Sequence, residues 1–162
     1  MVKYPEKVYN GKIDPLNFEH LRNGDNVKQA FYNCGGFALG TYSWYCPYPK
    51  RGALPFGYGI FHETMEKMAA VTELAVNAMV EEFLGKLRRI SSLDEVSEGE
   101  YAVAFRISDD GDFHYVRCMP SGEWLHKPGT SYIRSMTFED VFAEKWSNRY
   151  NGPVVLLAMR EN

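Results

Sequence analysis

Apolar side chains recur at three- and four-residue steps through Met65, Met68, Ala69, Thr72, Ala75, Val76, Met79, Val80, Phe83 and Leu87. That spacing gives one apolar helical face and predicts a long helix from about Phe61 to Ile90. Arg88 and Arg89 near its end suit the negative pole of the helix dipole. After Gly99 the pattern changes to short apolar runs cut by turn residues. Tyr101–Ile107 reads as a strand, Ser108-Asp109-Asp110-Gly111 as a turn and Phe113–Met119 as a second strand. Pro120-Ser121-Gly122 makes the next turn and Glu123–Lys127 a third strand. A helix over Phe138–Trp146 and a last strand over Val154–Met159 complete this half.

The N-terminal part is more broken. Residues 1–30 are turn-like, with a short helix over Asp14–Leu21 capped by Asp14. A helix is expected from Cys34 to about Tyr42, and the prolines and glycine of Trp44–Gly52 exclude regular structure. Ser92-Leu93-Asp94-Glu95 carries a capping box. Helices first and consecutive strands afterwards predict an α+β domain built on an antiparallel sheet.

At 162 residues the chain has the length of a single domain, 1–162, large enough to bury a core. The formal net charge of −3 argues against nucleic acid or an anionic membrane as partner. No apolar run approaches the roughly 20 residues of a membrane span, and residues 1–7 lack the apolar core of a secretory signal. A cytoplasmic location is therefore expected. The three cysteines form no disulfide framework, which fits a reducing compartment.

The chemistry centres on Cys34 in Asn33-Cys34-Gly35-Gly36-Phe37. A cysteine at a helix N-terminus is favoured as thiolate by unsatisfied N–H groups and the positive dipole end. Gly35 and Gly36 leave the sulfur unobstructed and offer backbone N–H groups for an oxyanion hole. Alone, Cys34 reads more readily as a small buried thiol packing a helix with close-packed glycines than as a nucleophile. Strand alternation puts His114, Val116 and Cys118 on one face, with His126 twelve residues further on. In a simple hairpin register the two histidines pair across the strands. His114 would then be the base and His126 its orienting partner. The plain alternative is two structural histidines.

These residues carry a resemblance. Tyr32-Asn33-Cys34-Gly35-Gly36-Phe37 resembles the Asp-Cys-Ser-Gly-Phe nucleophile motif of NlpC/P60 cysteine peptidases, a branch of the papain-like superfamily. Gly99-Glu100-Tyr101-Ala102-Val103, His114 and His126 follow in that family's order. The chain is also similar to bacterial and phage proteins with Asn-Cys-x-x-x-Ala-Leu, Asp-x-His and His-Lys-Pro-Gly motifs. The resemblance implies a papain-like fold with the nucleophile helix packed on the sheet, residues 1–30 as an extension and 43–93 as an insertion holding the long helix. It implies a cysteine peptidase or amidase that cleaves an amide bond through Cys34, His114 and His126, without a cofactor. A peptide, a peptidoglycan fragment or another amide would be the substrate. The chain departs from the family in Asn33, which replaces the common aspartate, in the long segment Thr41–Leu93, and in lacking wall-binding repeats.

Further candidates surround this set. Gln29, five residues before Cys34, reads as an oxyanion donor or as a solvated polar residue, and Tyr32 is a comparable candidate. Trp44, with Tyr42, Tyr45 and Tyr48, lines a groove or anchors a loop by its rings. Cys34, Cys46, His114 and Cys118 include soft metal ligands, but the paired spacing of a zinc knuckle is absent, so no metal is expected. Cys46 and Cys118 read as structural, and His62 with Glu66 as a solvated helical face. The reading from a different class is a non-catalytic binding protein on the same scaffold, such as a phage-encoded antagonist of a host factor.

Overall fold

The computed structural model describes residues 32–41, 43–48, 50–51, 54–55, 62–119, 121–129 and 133–161. The helix expected over Asp14–Leu21, Gln29 and Tyr42 lie outside these residues. The architecture is α+β, as the order of patterns predicts. Strands β3 (Leu87–Ile90), β4 (Glu100–Ile107), β5 (Phe113–Cys118), β6 (Trp124–His126), β7 (Arg134–Met136) and β8 (Val155–Arg160) form a six-stranded sheet. Its order is β3-β8-β4-β5-β6-β7, and every neighbouring pair is antiparallel.

Helix α1 (Cys34–Ala38) and helix α2 (Met65–Glu82) bury residues against the face formed by Val103, Phe105, Phe113, Tyr115 and Leu157. On the other face Ala102, Ala104, Val116 and Trp124 pack with Val141 and Trp146. Val141 belongs to the short helix α3 (Phe138–Val141). Both faces of the central strands are therefore dry, which explains why β4 is buried almost from end to end rather than alternating.

Several expected boundaries move, each for a local reason. The long helix stops at Glu82 instead of Ile90 because Gly85 takes a left-handed φ of +83° and turns the chain. Leu87–Ile90 then pairs with β8, and Leu87 and Ile90 are buried while Arg88 and Arg89 face solvent. The two arginines serve no helix dipole. Arg88 binds Glu100 through Nε and Nη2, and Arg89 binds Glu73. Helix α1 spans only five residues, and Gly40 beyond its cap has a φ of +72°. The last helix closes after one turn at Val141, and residues 143–152 become an irregular loop instead. Lys50–Arg51 (β1) pairs with Leu54–Pro55 (β2) in a small antiparallel ladder, so the exclusion of regular structure over Trp44–Gly52 fails at Lys50 and Arg51. Ser92 and Glu95 do form their capping box, around a 3-10 turn at Leu93–Glu95.

His62 precedes the N-cap Thr64 of α2, so it makes no helical i, i+4 pair with Glu66. It is buried and its N–H donates to the Asp109 carbonyl, which corrects the expectation of a solvated face.

Candidate active site

Cys34 begins α1, whose N-cap Asn33 accepts from the Gly36 N–H at 3.0 Å. The same Asn33 Oδ1 accepts from the Tyr45 N–H at 3.0 Å, while Nδ2 donates to the Tyr45 carbonyl at 2.7 Å. One buried amide thus fastens the loop after α1 back onto its first turn. The glycines serve this closeness. A Cβ on Gly36 would lie 1.9 Å from the Ser43 carbonyl oxygen, and one on Gly35 would lie 3.1 Å from both the Tyr45 and Tyr115 rings. Gly35 and Gly36 are therefore packing glycines, not an open approach for substrate.

The thiol meets β5 along its edge. The β5–β6 ladder holds only Arg117↔Leu125 and Cys118↔Trp124, so β6 has parted from β5 before Phe113–Val116 is reached. Into that gap comes Cys34, whose Sγ lies 3.9 Å from the Phe113 carbonyl oxygen. Burial pushes the thiol up to about 12, even though backbone hydrogen bonds from Tyr115 and Gly35 favour the thiolate. The nearby Asp112 carboxylate adds to the rise and Lys127 opposes it weakly. The expected lowering by the helix N-terminus is thus overridden: dehydration of a buried anion outweighs the donors of one short turn.

His114 and His126 are brought together. Nε2 of His114 lies 2.8 Å from Nδ1 of His126. Extending the β5–β6 register by one residue places His126 opposite Val116, so the histidines are diagonal neighbours on one face and do not pair directly across the strands. Burial holds His114 down at about 3, with the positive charge of a protonated His126 as a second cause. His126 is held at about 4 by burial and then by Arg134. Both rings are neutral at neutral pH.

Cys34 and His114 line one cleft of about 480 Å³, together with Asn33, Trp44, Asp112 and Tyr150. No hydrogen bond joins Sγ to the His114 ring among the described residues. With Nε2 engaged by His126, Nδ1 is the nitrogen left for chemistry. Two tautomer arrangements satisfy the imidazole pair, and only one makes His114 a base at Nδ1: the proton sits on His114 Nε2 and His126 Nδ1 accepts it.

Trp44 stands at the cleft, 59% exposed. Tyr32 is fully buried, and its carbonyl accepts from Lys127 Nζ at 2.6 Å while the ammonium sits 4.8 Å from its ring. Lys127 also donates to the Gly129 carbonyl at 2.5 Å, and burial lowers it to about 8. Lys127 therefore ties the end of β6 to the residue preceding the Asn33 cap. Cys46 joins Cys34 at the cleft, whereas Cys118 packs on the opposite face of the sheet.

Of two further cleft residues, Asp112 is marked in the sequence by the Asp-x-His motif, whereas Tyr150 carries no signal of its own. Tyr150 stacks on His114 at 5.2 Å and 23°, and its hydroxyl donates to Asp112 Oδ2 at 3.1 Å. Asp112 in turn pairs with Arg149 at 2.9 Å. The loop bearing Tyr150 is held by Arg106, which donates to the carbonyls of Gly152, Ala143 and Glu144 and lies over the Trp146 ring. Asp112 adjoins His114 in sequence, but nothing in the pattern around residue 150 distinguishes its tyrosine from ten others.

Comparison with protein-family models, with curated proteins and with solved structures finds no match to this chain. Among the described residues no helix is long and apolar enough to cross a membrane.

Proposed function

We propose that the chain is a thiol hydrolase of the papain-like, NlpC/P60-like kind, acting on an amide bond. The observation that carries this reading is the meeting, at one cleft, of a cysteine at a helix start with an imidazole whose far nitrogen is held by a second imidazole at 2.8 Å. The thiol is neutral at rest, so the reaction is general-base assisted. As Sγ attacks the substrate carbonyl, the thiol proton passes to His114 Nδ1 and the carbonyl oxygen takes the electron pair. Collapse of the tetrahedral adduct expels the amine, which leaves with that proton. Water then hydrolyses the thioester, with His114 again accepting and returning the proton. His126 fixes the tautomer throughout. The Trp44 ring and the Tyr150–Asp112 pair at the cleft favour an amide with an apolar group and a hydrogen-bonding neighbour.

The test is intact-mass analysis of acid-quenched mixtures of the protein with acyl and peptidyl p-nitroanilides, alongside release of nitroaniline. An acyl adduct on Cys34, lost in Cys34→Ala, with turnover about 100-fold or more slower in His114→Ala, is the expected result. Turnover that survives Cys34→Ala overturns it.

One observation favours a second reading, a binding protein that does not turn over. Burial keeps the thiol protonated, and the thiol's hydrogen bond goes to the Phe113 carbonyl. A partner retained equally by the native chain and by Cys34→Ala, without hydrolysis of any amide, is what that reading requires.

A further inference from the structure

The imidazole pair has a far end. His126 lines a second cleft, of about 330 Å³, together with Arg134, Ser135, Asp140, Lys145 and Ser147. Among the described residues this cleft shares no lining residue with the first. His126 is more than nine-tenths buried, its Nδ1 is taken by His114, and its Nε2 has no hydrogen-bond partner among the described residues. In the tautomer that leaves His114 basic at Nδ1, His126 carries its proton on Nε2. The second cleft is then lined by an imidazole N–H, a guanidinium, an ammonium and two hydroxyls.

We infer that this second cleft is an oxyanion site, which takes a phosphate group and reports its occupancy to Cys34 through the His126–His114 hydrogen bond. Among the described residues that line it, two cations, Arg134 and Lys145, stand beside one carboxylate, Asp140. An anion there offsets the two forces that keep the pair unprotonated, dehydration and the charge of Arg134. The groups facing His126 are His114 on β5, Arg134 on β7, Asp140 on α3 and Lys145 in the following loop. An occupied site therefore holds the His126 proton in place and stabilises the imidazolium that forms at His114 when the thiol proton is taken. The coupling to catalysis rests on the hydrolase reading above, while binding itself does not.

Titration with inorganic phosphate at constant ionic strength, read by the imidazole nitrogen and carbon resonances of His126, tests the inference without any substrate. Saturable shifts at His126 and His114 are expected, at least tenfold weaker in affinity in the Arg134→Gln, Lys145→Gln double variant. Both substituted residues are exposed, and an unchanged amide spectrum elsewhere verifies the fold. Shifts that are linear in phosphate, are matched by chloride, or persist undiminished in the double variant overturn the site. Phosphate binding in a protein whose Cys34 never acylates leaves the site standing and removes only the hydrolase. Hydrolysis without saturable binding does the reverse.

Discussion

Nε2 of His114 and Nδ1 of His126 lie 2.8 Å apart on strands that no longer pair where the histidines face each other. The bond replaces a missing stretch of backbone ladder, and it is buried enough that neither ring carries a proton charge at neutral pH.

Acid sensitivity follows with a definite sign. In the unfolded chain the histidines titrate near 6.5, whereas folding lowers them to about 3 and about 4. Between those limits the unfolded state binds more protons, so stability falls as pH drops below about 6.5. The slope approaches about 1.4 kcal/mol per pH unit for each histidine. Urea denaturation between pH 8 and 4 measures it. His126→Gln is expected to remove roughly one histidine's share of that slope, and an unaltered slope would contradict the burial of the pair.

The position of Asn33 calls for an amide and not a carboxylate. Its Nδ2 donates to the Tyr45 carbonyl at 2.7 Å, which a carboxylate cannot do. Asn33→Asp sets two acceptors against each other inside the core and is expected to destabilise by about 1–3 kcal/mol. The loss eases on acidification, when the carboxyl regains a donor. Equal denaturation midpoints for the two proteins at pH 7 would show that the clamp does not matter.

Gly36→Ala is the harshest small change available in this region. The added methyl meets backbone at 1.9 Å, not a flexible side chain. A loss of about 3 kcal/mol or more is expected, with loop 43–48 displaced from α1. Thermal unfolding and a crystal structure of the variant would reveal a tolerated methyl if the close approach were unimportant.

The thiol offers a kinetic check. Its rise from 9.0 to about 12 makes alkylation of Cys34 by iodoacetamide at pH 8 slower by roughly 100- to 1000-fold than in the urea-unfolded chain. The folded-state rate should climb about tenfold per pH unit through the alkaline range. Peptide mapping assigns the label among the three cysteines. Rapid labelling of folded Cys34 near pH 7 would mean a resting thiolate and a different electrostatic balance.

What the sequence discloses is uneven for physical reasons. The α2 stripe and the strands over 100–126 were legible because periodicity and turn residues are local signals. The end of α2 was not. Val80, Phe83 and Leu87 continue the helical spacing, and only Gly85, together with a partner strand nearly seventy residues away, redirects them. Strand β7 has no signature in the sequence because Arg134–Met136 is largely exposed and carries no apolar alternation. In the site, Cys34, His114 and His126 could be singled out by residue type. Gly35 and Gly36 fit an open approach or close packing equally well in the sequence, and their contacts with Ser43 and Tyr45, which decide for packing, are tertiary. Tyr150 stayed hidden because its importance comes from Arg106 holding a loop, a relation that no spacing rule encodes.

The pleat of β5 gives the site a reading frame. Phe113 and Tyr115 face the helices while His114 and Val116 face the opposite core, so adjacent residues serve separate compartments. Inserting or deleting one residue between Asp112 and Val116 would exchange those compartments wholesale. A bulky ring would be driven into the place of the imidazole, and the imidazole into the packing beneath α1. A substitution in this strand disturbs one compartment, but a shift of a single position dismantles both cores and the cleft together.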